Sequence, residues 1–132
     1  DCSMTMSWCF EDEDAETSQS VLDRFQSDEA VVPTIWPLEV ANVLSVSERK
    51  GRLKSAEIAR FISILTALPI TVDEDTSQHA LGNILTLARK HQRTSYDAAY
   101  LELAMRLGLP LATLDNGMRQ IARKLGIKRI PT

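Results

Sequence analysis

Four acidic residues could act together in catalysis or cation binding, because each lies where a predicted helix begins. Asp115 follows a short apolar segment that predicts a strand, Glu39 and Asp97 fall in the first turns of predicted helices, and Asp1 opens the sequence. In an open parallel sheet, ligands bind in the crevice beyond the carboxyl ends of the strands. The four carboxylates are therefore expected to face one crevice, where they would repel one another unless a cation neutralised them.

A cluster of carboxylates favours a hard divalent cation, because Mg²⁺ and Mn²⁺ prefer oxygen ligands. Such ions, held by a few carboxylates and by substrate phosphates, are typical of sites that cleave phosphodiesters. Zinc is disfavoured because His79 and His91 have no partner at ligand spacing. Neither histidine accompanies a serine or cysteine nucleophile motif, and the sequence has no glycine-rich phosphate loop.

Each acid also has a purely structural explanation. Thr94 and Asp97 have the spacing of a capping box, with Asp in place of Glu. Asp115 is a good helix N-cap, and Glu39 would interact favourably with the dipole of its helix. Asp1 is simply the first residue of the sequence. For each acid taken singly, the residues leave the structural and the functional interpretation open.

Short apolar strands alternate with helices, which is the pattern of an α/β fold with a parallel sheet covered on both faces. The predicted strands are Ala30–Pro33, Pro69–Val72, Leu111–Thr113 and Lys128–Ile130. The predicted helices are a turn or two within Met4–Phe10, then Thr17–Phe25, Pro37–Lys50, a helix capped by Ser55, Thr76–Gln92, a helix from about Thr94 that ends at Gly108, and Asn116–Leu125. The length of 132 residues fits one domain over residues 1–132.

Charge is distributed unevenly along the chain. Residues 1–48 contain 11 acidic residues and one basic residue, whereas residues 49–132 contain 14 basic and seven acidic residues. This asymmetry predicts basic surface close to an acidic region, although surface charge that serves solubility would look the same.

The remaining features concern the cellular location of the protein and calcium binding. No apolar run approaches the ~20 residues that cross a bilayer, and no secretory leader is visible. Cys2 and Cys9 form neither a metal-binding spacing nor a disulfide framework, so a reducing cytoplasm is expected. The acidic run 11–14 lacks the glycine and terminal glutamate of a calcium-binding loop, and a solvated loop is expected there.

Four segments resemble motifs of the PIN-domain nucleases, specifically the VapC-type toxins of bacterial toxin–antitoxin pairs. Asp1-Cys2-Ser3 resembles the opening Asp-x-Ser, and Pro37–Leu44 resembles the Glu-x-x-Asn helix. Tyr96–Leu101 is similar to the family's most recognisable segment, and Leu111–Asp115 to its final Thr-x-Asp. The resemblance covers essentially the whole chain, and the order and spacing of the four segments make it specific.

The resemblance implies a three-layer α/β/α sandwich with a short-stranded parallel sheet, acting as a Mg²⁺- or Mn²⁺-dependent endoribonuclease that hydrolyses RNA with a metal-activated water. It implies a catalytic and metal-binding cluster formed by Asp1, Glu39, Asp97 and Asp115. Ser3, Asn42 and Thr113 would position the carboxylates and waters. A cognate antitoxin that covers or enters the acidic cleft and a homodimer are also implied. Because the family normally has a strand before its first Asp, a first strand upstream of Asp1 is expected outside residues 1–132.

Basic side chains could offset the repulsion between an acidic site and the RNA backbone. Two groups of candidates are Arg49, Lys50, Arg52 and Lys54, and then Arg119, Arg123 and Lys124. Either group could instead be ordinary solvated helix surface.

Two other functions remain open. A catalytically silent binding module could use the acidic crevice to grip a basic peptide or an antitoxin arm, and such a module need not bind Mn²⁺. A phospho-acceptor receiver domain would need an acidic pair near its first strand and a lysine after its last. Asp1 stands alone, and Lys128 does not lie at the required position.

Overall fold

Two parallel pairs of short strands carry the turns at which the acidic residues lie. The computed structural model describes residues 1–10 and 15–132. The first pair is β1 (Ala30–Val32) with β2 (Ile70–Val72), and the second is β3 (Leu111–Ala112) with β4 (Arg129–Ile130). Parallel pairing was predicted and is confirmed, but the strands of the described residues form two separate two-stranded sheets.

Helices connect and flank these strands in the predicted order. They are α1 (Cys2–Ser7), α2 (Ala15–Asp23), α3 (Trp36–Arg49), α4 (Ser55–Ala67), α5 (Leu85–His91), α6 (Ser95–Leu107) and α7 (Asn116–Lys124). Short 3₁₀ turns cover Arg24–Gln26 and Thr76–His79. None of the helices in the described parts of the chain is long and apolar enough to span a membrane. The loop expected at residues 11–14 lies outside the described residues.

Helix α3 begins and ends as its sequence predicts. Pro37 lies in its first turn, where the missing N–H costs nothing, and Gly51 follows the helix with a left-handed φ of 74°. The expected capping role of Ser55 is wrong, because Ser55 is itself the first residue of α4. The Glu57 carboxylate instead accepts a hydrogen bond from the backbone N–H of Lys54 at 3.1 Å.

The predicted continuous helix Thr76–Gln92 is also wrong. Its first residues form the 3₁₀ turn, Ala80–Ile84 form a π-helical turn, and only Leu85–His91 are α-helical. The break lies at Gly82, whose φ of −106° and ψ of −111° are not helical. Glycine can adopt such a conformation because it has no Cβ, and an apolar periodicity does not reveal it.

Helix α6 forms the centre of the core. Seven consecutive residues of this helix, from Ala98 to Ala104, are buried, and Leu101 is completely inaccessible. A helix that is buried on all sides is enclosed by its neighbours. Trp36 of α3 packs into the same core and donates its indole N–H to Thr5 of α1 at 2.9 Å. The first turns of α3 and α6 are thus anchored by buried side chains.

A buried ionic cluster joins the end of β2 to α6. Arg106 donates to Asp73 at 2.7 Å and to Glu102 at 2.6 Å. The side chains of Asp73 and Glu102 are only 9% and 4% exposed, so Arg106 is their main compensation. The hydrogen bond from Arg106 lowers the pKa of Asp73 below its usual value of 3.8.

We predict that Arg106→Gln lowers the free energy of unfolding at pH 7 by about 3 kcal/mol, because Asp73 would remain buried without a cation and Glu102 would keep only His79, 3.5 Å away. Urea unfolding measures this difference. Since the folded protein holds the pKa of Asp73 below 3.8, the stabilisation is present above that pH and is lost as the pH falls further. The difference between wild type and variant should therefore shrink in acid.

The matched control is Arg60→Gln, which removes the same charge from an exposed position of α4. It should change the unfolding free energy by about 0.5 kcal/mol or less. Equal stabilities for Arg106→Gln and Arg60→Gln would contradict the role of the cluster.

Candidate acidic site

Asp1 is held in place by hydroxyl groups from two parts of the chain. One carboxylate oxygen accepts hydrogen bonds from Ser3 Oγ at 2.6 Å and from the Met4 backbone N–H at 3.2 Å, so that Asp1 caps α1. The other oxygen accepts from Thr113 Oγ1 at 2.7 Å. The backbone nitrogen of Asp1 donates to the carbonyl of Ala112, which fixes residue 1 beside β3. Ser3 and Thr113 therefore both contact the carboxylate that they were expected to position.

Thr113 connects Asp1 to Asp115. Its side chain is completely buried, and its Oγ1 also accepts a hydrogen bond from the Asp115 backbone N–H at 3.1 Å. Asp115 caps α7 by accepting from the Met118 N–H at 3.0 Å. This backbone hydrogen bond, together with the nearby Arg93 guanidinium, lowers the pKa of Asp115. Asp115 thus remains ionised at neutral pH.

Asp97 occupies the first turn of α6 beside a capping threonine. Thr94 Oγ1 accepts a hydrogen bond from the Asp97 backbone N–H at 3.1 Å, as the spacing of the two residues predicts. The carboxylate of Asp97 is turned to Arg93, whose Nε donates to it at 3.1 Å. Nη2 of the same guanidinium donates to Asp115 at 3.0 Å. Asp97 and Asp115, 18 positions apart in sequence, therefore converge on one cationic group.

Arg93 is the residue of this site that the sequence did not identify. Its position after a helix suggested only a cation at a helix C-terminus. No periodicity or motif connects it to Asp115, which lies 22 residues later. The only signal was that an arginine four residues before an acid can pair with that acid when the backbone is helical.

Glu39, the fourth acid, lies in the first turn of α3 and contacts α6. Tyr100 of α6 donates its hydroxyl to Glu39 Oε1 at 2.5 Å. Burial raises the pKa of Glu39, the hydrogen bond from Tyr100 lowers it, and the charge of Asp97 raises it again. Asn42, also expected to contribute, is exposed on α3, and its side chain makes no hydrogen bond to another described residue.

Carboxylate oxygens are the ligands that a hard divalent cation prefers. Two of these carboxylates, Asp97 and Asp115, already bind one positively charged group, the Arg93 guanidinium. Asp97 and Asp115 could hold such an ion, and Thr113 connects Asp1 to the same place. Within residues 1–10 and 15–132, no three side chains from His, Cys, Asp and Glu converge as ready-made ligands of one metal ion.

A thiol nucleophile does not suit this site. Cys2 follows Asp1, but burial and then the charge of Glu39 raise the pKa of its thiol to about 11. The thiol is therefore protonated at neutral pH, whereas the nucleophilic form is the thiolate.

The two basic groups lie differently with respect to the acids. Arg49 ends α3 and is ten residues from Glu39, which corresponds to about 15 Å along a helix. Lys50, Arg52 and Lys54 follow it, and Arg52 stacks on Phe10 at 4.6 Å. The second group belongs to α7, the helix that Asp115 caps, although Arg119 donates to the backbone carbonyls of Thr113 and Pro131. Arg123 and Lys124 are exposed farther along α7.

Comparison with known proteins gives two similarities. The family model described as the PIN domain matches residues 1–124. Ribonuclease VapC3 of Pyrobaculum aerophilum is 37% identical to the chain over 86 residues. The matched region comprises 65% of this chain and 63% of that protein, so the match spans less than two thirds of the relative's length.

We predict that Tyr100→Phe raises the pKa of Glu39 further, because the hydrogen bond that favours the ionised carboxylate is lost. Titration of the Glu39 side-chain carboxyl carbon by NMR measures this pKa. The control is Tyr96→Phe, which removes the hydroxyl of an exposed tyrosine one turn earlier on α6 and should leave the pKa of Glu39 unchanged. A lower or unchanged pKa in Tyr100→Phe would show that this hydroxyl does not control Glu39.

Proposed function

Because the chain belongs to the PIN-domain family, we propose that it is a Mg²⁺- or Mn²⁺-dependent endoribonuclease that hydrolyses RNA phosphodiesters. Membership confirms the resemblance and the α/β fold class predicted from sequence. The similarity to Ribonuclease VapC3 supports RNA as the substrate. The observation that carries the proposal is that Asp97 and Asp115 converge on one guanidinium, that of Arg93, while Thr113 joins Asp115 to Asp1.

In this proposal the four acids have different roles. Asp97 and Asp115 hold the divalent ion, and Asp1, oriented by Ser3 and Thr113, completes its surroundings. A bound Mg²⁺ or Mn²⁺ would supply the charge that lowers the pKa of a water and stabilises the leaving oxygen.

Glu39 is the proposed general base. Tyr100 fixes one of its oxygens, and the other would accept the proton of the attacking water. The raised pKa of Glu39 makes it a stronger proton acceptor than an exposed glutamate.

The substrate and partners follow from the charge of the same region. The exposed Arg123 and Lys124 on α7 are the proposed contacts for RNA phosphates, since Asp115 caps the start of their helix.

We also propose that the protein is the toxin of a type II toxin–antitoxin pair, acts in the cytoplasm and forms a homodimer. A basic segment of the cognate antitoxin would bind the acidic cleft. The ion pairs of Asp97 and Asp115 with Arg93 support binding of such a segment, because the two acids already bind a guanidinium, the group that an arginine of the antitoxin would supply.

A second candidate is a silent binding module whose acidic crevice grips a basic peptide. It is favoured by the lack, among the described residues, of three ready-made ligands for one metal ion. Titration with Mn²⁺ distinguishes the two functions, because the nuclease requires the ion and the binding module does not.

We predict that Asp97→Asn and Glu39→Gln each reduce cleavage of total RNA in Mn²⁺ by about 100-fold or more, since one loses a cation ligand and the other the base. The protein is first separated from any co-purified partner, and circular dichroism checks the fold. Glu48→Gln is the control, because it neutralises an exposed acid on the same helix as Glu39. Cleavage by Asp97→Asn at the wild-type rate would refute the assignment.

Asp115 allows capping to be separated from catalysis. Asparagine is as good an N-cap as aspartate, so Asp115→Asn should lose only the partly exposed ion pair with Arg93, worth a few tenths of a kcal/mol. Asp115→Ala loses the bond from Met118 and should be less stable by about 1 kcal/mol. Both variants should lose RNA cleavage. If Asp115→Asn keeps full activity, the carboxylate serves only as a cap.

A further inference from the structure

Arg93 is placed between two acids by the short connection from α5 to α6. Helix α5 ends at His91, and Gln92 reverses the chain with a left-handed φ of 53°. The Arg93 backbone N–H then donates to the Ala88 carbonyl at 3.1 Å. Thr94 starts α6 as its N-cap. The backbone on both sides of Arg93 is therefore fixed, and its side chain is only 26% exposed.

Gly117 leaves the space that the guanidinium fills. A Cβ atom at this position would lie 2.8 Å from Arg93 Nη1 and 3.2 Å from Asp115 Oδ1. The first distance is too short for a carbon–nitrogen contact, so any other residue at position 117 would push against the guanidinium. Arg93 is thus enclosed on three sides, by Asp97, Asp115 and the bare backbone of Gly117.

Arg93 contacts one oxygen of each of the two carboxylates that are proposed to hold the divalent cation. The guanidinium donates to Oδ2 of Asp97 and to Oδ2 of Asp115, so its single positive charge is shared between two negative carboxylates. Mg²⁺ binds carboxylate oxygens at about 2.0–2.1 Å. An ion held by Asp97 and Asp115 would therefore repel the guanidinium that contacts the same two side chains. The guanidinium and the ion therefore compete.

We propose that Arg93 is the internal counter-ion of the Asp97–Asp115 pair, and that a divalent cation binds by displacing its guanidinium from these carboxylates. Arg93 then sets the cation affinity of the site: it stabilises the cation-free protein and weakens cation binding. The inference rests on the divalent cation of the proposed function, but it does not require that RNA be the substrate.

Two variants and a control test the competition. Arg93→Gln removes the guanidinium. Gly117→Ala keeps the charge of Arg93 but places a Cβ 2.8 Å from its Nη1, so the end of this side chain must shift. The backbone tolerates alanine because Gly117 lies in α7 with no positive φ. Arg89→Gln removes an equal charge from an exposed position one turn earlier on α5. Dissociation constants for Mn²⁺ are measured by electron paramagnetic resonance, which counts free Mn²⁺ directly.

We expect Kd for Mn²⁺ to fall roughly fivefold in Arg93→Gln, the size set by two partly exposed ion pairs, to fall by less in Gly117→Ala, and to stay unchanged in Arg89→Gln. An equal fall in Arg89→Gln would indicate repulsion by net charge without displacement, and would overturn the proposal. Weaker Mn²⁺ binding in Arg93→Gln would also overturn it, because Arg93 would then be a residue that orients the ligands of the bound ion.

NMR of the arginine side chains observes displacement directly. The Nε–H of Arg93, bonded to Asp97 in the cation-free protein, should lose its protection from solvent exchange when Mg²⁺ saturates the wild-type site. An unchanged signal at saturation, or no Mn²⁺ binding by any variant, would overturn the proposal. If these results are as expected while no RNA is cleaved, the competition stands and the proposed nuclease fails. Cleavage of RNA without the shifts in Kd would support the nuclease and refute the competition.

Discussion

Mutual repulsion between carboxylates is the constraint on which this site depends. Asp1 and Glu39 each have partners of their own, whereas Asp97 and Asp115 share one. Hydroxyl groups hold Asp1, the N-terminus of a helix and a guanidinium hold Asp115, and a buried phenol holds Glu39. Asp97 shares the guanidinium of Arg93 with Asp115. Without such partners, charges this close would be expensive to gather, so the compensation is built into the fold.

The scaffold supplies these partners through the starts of its helices. Helix α6 is enclosed by the core, so Asp97 and Tyr100 project from a rigid base. Thr113, completely buried at the end of β3, receives the Asp115 N–H and donates to Asp1. Asp115 caps a helix and is also one of the side chains proposed to bind the cation. A residue such as Asp115 therefore has a structural and a proposed functional role at once, and neither role excludes the other.

The sequence predicted much of this arrangement, because the signals concerned are local. Apolar segments predicted the first three strands of the described residues, and an edge strand was expected at Lys128–Ile130. The spacing of Thr94 and Asp97 predicted the cap that the structure contains. The contacts that were not predicted depend on distant parts of the chain. Arg93 reaches Asp115 only because the chain reverses at Gln92, which no apolar pattern reveals.

Other features were missed for related physical reasons. The pairing of Tyr100 with Glu39 joins residues 61 positions apart, and only the packing of α6 against α3 creates it. The periodicity around Gly82 fitted a continuous helix, but the backbone departs from a helix at this glycine, the residue type with the fewest steric restrictions.

The dependence of cleavage on a divalent cation tests the central claim most directly. Purified protein stripped with EDTA should leave a labelled RNA intact and should cleave it once Mn²⁺ is restored; cleavage that persists in excess EDTA would contradict the account.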